Sequence, residues 1–209
     1  MRVLGIDEAG RGAVLGPLVV AGVMTERAES LWTLGARDSK LLAREQRPAI
    51  LKQLWRAGVR GQVVVIRPEV IDQGSLTVLE ARAMCRLIQR LGPERVIFDP
   101  PVGPRALPHF RQSLARLCRF PSESLSAFPN ADRENPVVAA ASLLAKVVRD
   151  AHIQALRRQY GDFGWGYPSE PKVRAFLVDW SARFGVLPPI CRRRWRTAEK
   201  LLSFQLHEP

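Results

Sequence analysis

Cysteine is scarce in this chain. Cys85, Cys118 and Cys191 are odd in number and far apart, which excludes a disulfide framework and a cysteine-rich zinc site and points to reduced thiols in a cytoplasmic protein. Histidine is as rare, and His109, His152 and His207 lie in no motif, so no histidine general base is expected. No apolar run approaches the 18 or so residues that a membrane span needs, and the N-terminus opens without the basic and apolar regions of a secretory signal. There is no fixed-period repeat and no low-complexity tract. Acid is under-represented against base: 20 Asp and Glu face 32 Lys and Arg, for a net charge of +12 and a sequence pI near 10.9. That balance points to a polyanionic partner, most simply nucleic acid. An arginine-favouring genome is the bland alternative, and the few lysines (Lys40, Lys52, Lys146, Lys172 and Lys200) therefore stand out. With 209 residues, 46% of them hydrophobic, the chain suffices for one large domain, or for a domain plus a small appendage.

The apolar pattern predicts a strand over residues 2–7 ending in the adjacent carboxylates Asp7 and Glu8, then a second strand at Leu18–Met24 and a third at Gly61–Arg67. A helix is expected near 42–56, its start limited by Pro48. Leu76, Leu79, Ala83, Met84, Leu87, Ile88 and Leu91 recur at helical spacing, and Gly92-Pro93 stops that helix. A short strand over 95–99 ends on Asp99. A helix at 107–117 follows, then a weak strand within 118–128. Asn135-Pro136 supplies a cap and a first-turn proline for a helix running to about Arg158. Another helix begins after Glu170-Pro171 and stops at Gly185. Antiparallel strands followed by β–α alternation indicate an α/β layered domain with a mixed sheet.

Neighbouring acids repel, and a divalent cation is one reason for them to coexist. Asp7-Glu8 runs straight into the glycine-rich loop Gly10-Arg11-Gly12, whose backbone N–H groups suit a phosphate. Asp99 at a strand end and Asp132 just before a helix share this setting. Oxygen ligands without histidine or cysteine favour Mg²⁺ or Mn²⁺, and two such ions serve in-line phosphoryl displacement.

These motifs, in order, resemble those of ribonuclease HII. The match runs from Gly5–Gly12 through Gly16-Pro17, Asp38-Ser39-Lys40, Asp99, Ala131-Asp132, Val137–Ser142, Ala145-Lys146 and Arg149-Asp150. It continues in Tyr160–Gly164 and Gly166-Tyr167-Pro168 and extends to about Thr197, where Pro188-Pro189 and the arginine cluster look archaeal. The resemblance implies a ribonuclease H-like α/β fold, with a mixed five-stranded sheet flanked by helices in residues 1–185 and a small basic, helical C-terminal extension in 186–209. It implies hydrolysis of the RNA strand of RNA/DNA hybrids. It further implies incision 5′ to a single ribonucleotide in duplex DNA, by two metal ions (Mg²⁺ or Mn²⁺), with 5′-phosphate and 3′-hydroxyl products. By the family pattern Asp7, Glu8, Asp99 and Asp132 would be the catalytic metal ligands. Gly10, Arg11 and Gly12 would grip the ribonucleotide, and Tyr167 would stack on the sugar next to the junction. A monomer is expected, and no sliding-clamp segment is evident in Leu201–Leu206. The chain departs from the family at Asn130, where lysine is usual, at Ala13, where proline is common, and at Pro100-Pro101. The related ribonuclease HIII lacks Gly-Arg-Gly and carries an N-terminal extension. A junction resolvase or DNA-only nuclease of the same fold, and a non-catalytic hybrid-binding module, are the rival readings.

Secondary candidates are less sharply defined. Ser142, Lys146 and Arg149/Asp150 share one helix face. Lys146 suits a phosphate or a pair with Asp150, and Asp150 is an alternative fourth carboxylate. Lys40 suits a phosphate or solvent, and Lys172 reads as surface. Arg192–Arg196 with Trp195 fits either a nucleic-acid backbone contact or a solvated tail. Trp165 fits a binding surface or a core.

Overall fold

The computed structural model describes residues 1–35 and 42–205, and the side chains of those up to residue 200. Asp38, Ser39, Lys40, Leu206 and His207 lie outside the described residues. The strands are β1 (Val3–Ala9), β2 (Leu18–Thr25), β3 (Arg60–Ile66), β4 (Arg95–Phe98) and β5 (Leu125–Ala127). The helices are α1 (Ser30–Thr33), α2 (Arg47–Arg56), α3 (Pro68–Ile71), α4 (Leu76–Leu91), α5 (Leu107–Cys118), α6 (Ala131–Glu134), α7 (Pro136–Tyr160), α8 (Pro171–Phe184) and α9 (Arg196–Gln205).

The expected mixed sheet is present, with order β3-β2-β1-β4-β5. β1 is antiparallel to β2 and parallel to β4, and β4 is parallel to β5. The first strand outruns its expected end. Its pairing with β2 continues through Ala9↔Val19, so Asp7 and Glu8 lie within β1 rather than at its terminus. Successive side chains of a strand point to opposite faces, and the two acids are thereby separated.

The chain divides into two compact units. The first comprises residues 1–9, 19–64 and 76–147. Its core joins Leu4, Ile6, Val96 and Phe98 of the central strands to Leu87 and Ile88 of α4 and Phe110 and Leu114 of α5. The rings of Phe98 and Phe110 meet at 6.2 Å. The start of α7 is capped as expected, for the Asn135 carboxamide oxygen accepts from Val137 N–H at 3.0 Å and Val138 N–H at 3.3 Å. This end of α7 presses backbone to backbone on β1. A Cβ at Gly5 would sit 2.3 Å from the Val137 carbonyl carbon, so only glycine allows that approach. The fully buried small residues Ala139, Ala140, Ala141 and Ala145 continue the close fit.

The second unit comprises residues 10–18, 65–75 and 148–209. Val14, Leu15, Ile153, Phe163, Val173, Leu177, Leu187, Ile190, Cys191 and Ala198 form its core. Part of the stretch beyond Gly185 is therefore core in its own right. Phe163, from the segment before α8, meets Phe176, and Phe176, Trp180 and Phe184 follow one another along α8, with centroid separations of 5.3, 5.8 and 4.5 Å.

Candidate active site

Asp7 is a buried and perturbed acid of the first unit. It lies on the β1 face that carries Gly5, and so faces α7. Burial pushes its pKa up to about 6, against a Ser142 side-chain hydrogen bond and the Glu8 backbone N–H, which favour the ionised form. Asp132 nearby raises the value further, and Lys146 lowers it. The Glu8 N–H donates to Asp7 Oδ1 at 2.8 Å. Asp132 is buried in the short helix α6, one turn before α7. Asp7, Asp132, Ser142 and Lys146 are thus brought together by the contact of α7 with β1.

The other two expected carboxylates are placed differently. Ile6 pairs with Phe98, so Asp99 follows β4 directly beside the position of Asp7. Glu8 is half-buried and, by strand alternation, belongs to the opposite face of β1. Among the described residues no group of three or more His, Cys, Asp or Glu side chains is gathered closely enough to hold a metal ion. The donor chemistry nonetheless fits a hard divalent cation. Two buried acids, one close enough to raise the proton affinity of the other, with only oxygen donors, suit Mg²⁺ or Mn²⁺ rather than zinc.

The Gly10-Arg11-Gly12 loop belongs to the second unit. Gly10 has φ +90°, and a Cβ there would stand 2.0 Å from Nε of Arg149, so the position is closed to any side chain. Ala13 N–H donates to the Gly10 carbonyl at 3.2 Å, a bond the family's common proline has no hydrogen to make. The loop is stitched to two distant segments. Val14 and Leu15 donate to the Gly166 carbonyl at 2.8 and 3.1 Å, Gly16 donates to Ile190, and Arg192 N–H donates to Val14. Tyr167 is half-buried, with the Arg149 guanidinium 4.9 Å from its ring centre. The turn before it is clasped by Glu170, whose carboxylate accepts from Trp165 N–H at 2.8 Å and Tyr167 N–H at 3.1 Å.

Several groups differ from their sequence reading. Arg192 is not part of a solvated tail: it is fully buried, donates to the Gly16 and Arg11 carbonyls at 3.1 and 3.0 Å, and packs over Trp195. Arg193 and Arg194 are exposed, but their backbone N–H groups are held by the Asp72 carboxylate. Trp165 is half-buried against the core of the second unit, with Arg157 over its ring. Lys172 pairs with Asp162 at 2.7 Å and is exposed, as expected of a surface lysine. His109 and His152 are exposed. Asn130 has φ +58°, a conformation asparagine tolerates better than most non-glycine residues. Glu170, Arg149 and Arg192 escaped the sequence reading as structural anchors; the one available signal was the place of Arg149 beside Asp150 in a matching motif.

Comparison with known proteins gives one consistent answer. The family model for ribonuclease HII matches residues 4–198. Ribonuclease HII of Pyrococcus abyssi is 38% identical over 209 residues, covering 96% of this chain and 91% of its own. Among solved structures, ribonuclease H2 from Pyrococcus horikoshii OT3 superposes with a TM-score of 0.89 at 33% identity over 100% of both chains. The PCNA:RNase HII complex from Archaeoglobus fulgidus gives 0.85 at 36% identity, over 95% of this chain and 96% of that one. Bst-RNase HIII in complex with Mn²⁺, at 22% identity and a TM-score of 0.79 over 100% of this chain and 71% of that one, shares the fold. On the mixed sheet, the ordered motifs and these matches together, the chain belongs to the ribonuclease HII family, endonucleases with ribonuclease H activity on RNA/DNA hybrids.

Proposed function

We propose that this enzyme incises 5′ to a single ribonucleotide embedded in duplex DNA, as well as cutting the RNA strand of hybrids, and leaves 5′-phosphate and 3′-hydroxyl ends. The observation that carries the chemistry is Asp7, buried with its pKa near 6 beside Asp132, Ser142 and Lys146. Asp7, Asp99 and Asp132 would hold two Mg²⁺ or Mn²⁺ ions, together with Glu8, whose support as a ligand is the family motif alone. The chemistry such ions supply when bound is activation of a water and stabilisation of charge at the phosphate. The protein's own groups do the rest. Ser142 donates to Asp7 and holds its carboxylate in one orientation. Lys146 favours the ionised form of that carboxylate and would draw in a substrate phosphate.

Reading of the ribonucleotide falls to Gly10, Arg11 and Gly12 through backbone groups at the 2′-OH, the one group that distinguishes RNA from DNA at that position. Tyr167 stacks on the neighbouring sugar. Arg11 and Lys40 bind flanking phosphates; for Lys40 the support is the family motif alone. A PCNA-type partner belongs to the reading because the Archaeoglobus relative is solved in such a complex, which revises the expectation drawn from the tail; no segment of this chain is assigned to it.

The test is cleavage of a labelled duplex carrying one ribonucleotide, with Mg²⁺ and with Mn²⁺, beside an all-DNA duplex and a uniform hybrid. A single cut 5′ of the ribonucleotide, dependent on metal and lost in Asp7→Asn, is the expected result. A fully active Asp7→Asn enzyme sinks the assignment of the carboxylates.

A further inference from the structure

Among the described residues, the two bulkiest side chains that are fully buried are not aromatic: they are Arg149 and Arg192. Burying a guanidinium is unfavourable unless its fork of donors is used. Here the fork is largely spent on backbone, although Arg192 Nη2 finds no hydrogen-bond partner among the described residues. Arg149 donates through Nε to the Pro17 carbonyl at 3.2 Å and through Nη2 to Leu15 and Trp165 at 3.3 and 3.1 Å. Arg192 takes Gly16 and Arg11. Of these five carbonyls, four lie in residues 11–17 and the fifth is two residues before Tyr167. Gly10 rests directly on Nε of Arg149, and the same guanidinium packs on the Tyr167 ring. The two like charges also repel: burial, and then Arg149, lower the Arg192 pKa to about 9. Two cations kept together against repulsion, with a local geometry this specific, argue for a purpose other than charge balance.

We propose that Arg149 and Arg192 are positioning residues for ribonucleotide discrimination, fixing the Gly10–Gly12 loop and Tyr167 in one register on a shared base of guanidinium groups. This rests on the proposed reading of those groups as the ones that read the ribonucleotide and its neighbour. A single 2′-OH offers one productive register, and a reader displaced by about 1 Å loses it. A uniform hybrid offers a 2′-OH at every step, so a loosened reader still finds productive positions. Fork geometry, not charge, carries the effect, because lysine gathers its three donors on a single atom at the end of a flexible stem and lacks the planar fork that reaches carbonyls set apart from one another. The proposal therefore concerns selectivity more than catalytic power.

Arg192→Lys and Arg149→Lys in the full chain, with Mg²⁺, provide the test. Two quantities are read: the ratio of kcat/KM on a single-ribonucleotide duplex to that on a uniform hybrid of equal length, and hydrogen exchange of the amides of residues 12–16 and 165–167. The expected result is a fall in the ratio of roughly tenfold or more, with faster exchange confined to those two segments. An unchanged ratio in a folded variant, or an equal loss on both substrates, overturns the proposal, as does unaltered exchange. If both lysine variants fail to fold, Asp72→Ala loosens residues 192–194 from the outside by freeing the N–H groups of Arg193 and Arg194, and a smaller fall in the same ratio is expected; no change overturns it. If the wild type leaves the single ribonucleotide uncut, the functional reading has failed and the claim about discrimination fails with it, while exchange still reports separately whether the arginines hold the loop.

Discussion

Asp7 holds its proton to about pH 6 in the folded protein and to 3.8 as an ordinary carboxyl. Between those values the folded state binds more protons than the unfolded state. Without metal, stability should therefore fall as pH rises across that window, by up to about 3 kcal/mol, and level off above it. Asp7→Asn removes the charge, so it should flatten this profile and raise neutral-pH stability while abolishing cleavage. Denaturant unfolding at pH 4 to 8 in a chelator measures both effects, and an Asp7→Asn protein less stable than wild type at pH 7.5 would refute the first. Adding Mg²⁺ should restore neutral-pH stability to the wild type far more than to the variant. At Gly10 the expectation is steric: Gly10→Ala meets Arg149 and a positive φ together, and should destabilise by about 1–3 kcal/mol in the same assay.

Elements were legible wherever a local signal fixed them. Asn135-Pro136 announced α7, and Gly185 ended α8 in the left-handed conformation, with its N–H on the Ser181 carbonyl. Asn135→Ala should remove the cap of α7 and lower stability by about 1 kcal/mol, checked by thermal unfolding. Gly5→Ala should be worse than any cap loss, because α7 has no room to retreat from β1 without carrying Ser142 and Lys146 away from Asp7. Its expected signature is a drop in kcat larger than its effect on hybrid binding. What local signals missed has a common cause. The length of β1 was misjudged because Glu8 looks like a strand breaker in isolation, whereas pairing with Val20 in β2 holds it extended. The one-turn helices α1, α3 and α6 carry too few residues for periodicity to register.

On the scale of the molecule, a net charge of +12 makes nucleic-acid binding a matter of counterion release. Binding of an uncut hybrid by Asp7→Asn should weaken steeply with salt, and adding Lys146→Gln should reduce the log–log slope by roughly 1 if that lysine meets a phosphate. An unaltered slope, measured by fluorescence anisotropy, would remove Lys146 from the phosphate contacts. The four proposed carboxylates stand out in the sequence because Asp7 and Glu8 are adjacent in a glycine-rich setting and because the motifs occur in order. The buried arginines were not. In a chain with 27 arginines, composition cannot say which guanidinium finds backbone carbonyls more than a hundred residues away.

The tie from Arg192 to the Arg11 carbonyl spans 181 residues. A ribosome making this protein therefore releases the loop near the start of the message long before the side chain that secures it exists. Until the codon for Arg192 has been read and its residue has cleared the exit tunnel, a nascent chain can carry the carboxylate-bearing strand while the loop still lacks this tie, so on the proposed reading ribonucleotide discrimination would be acquired later in synthesis than the strand itself.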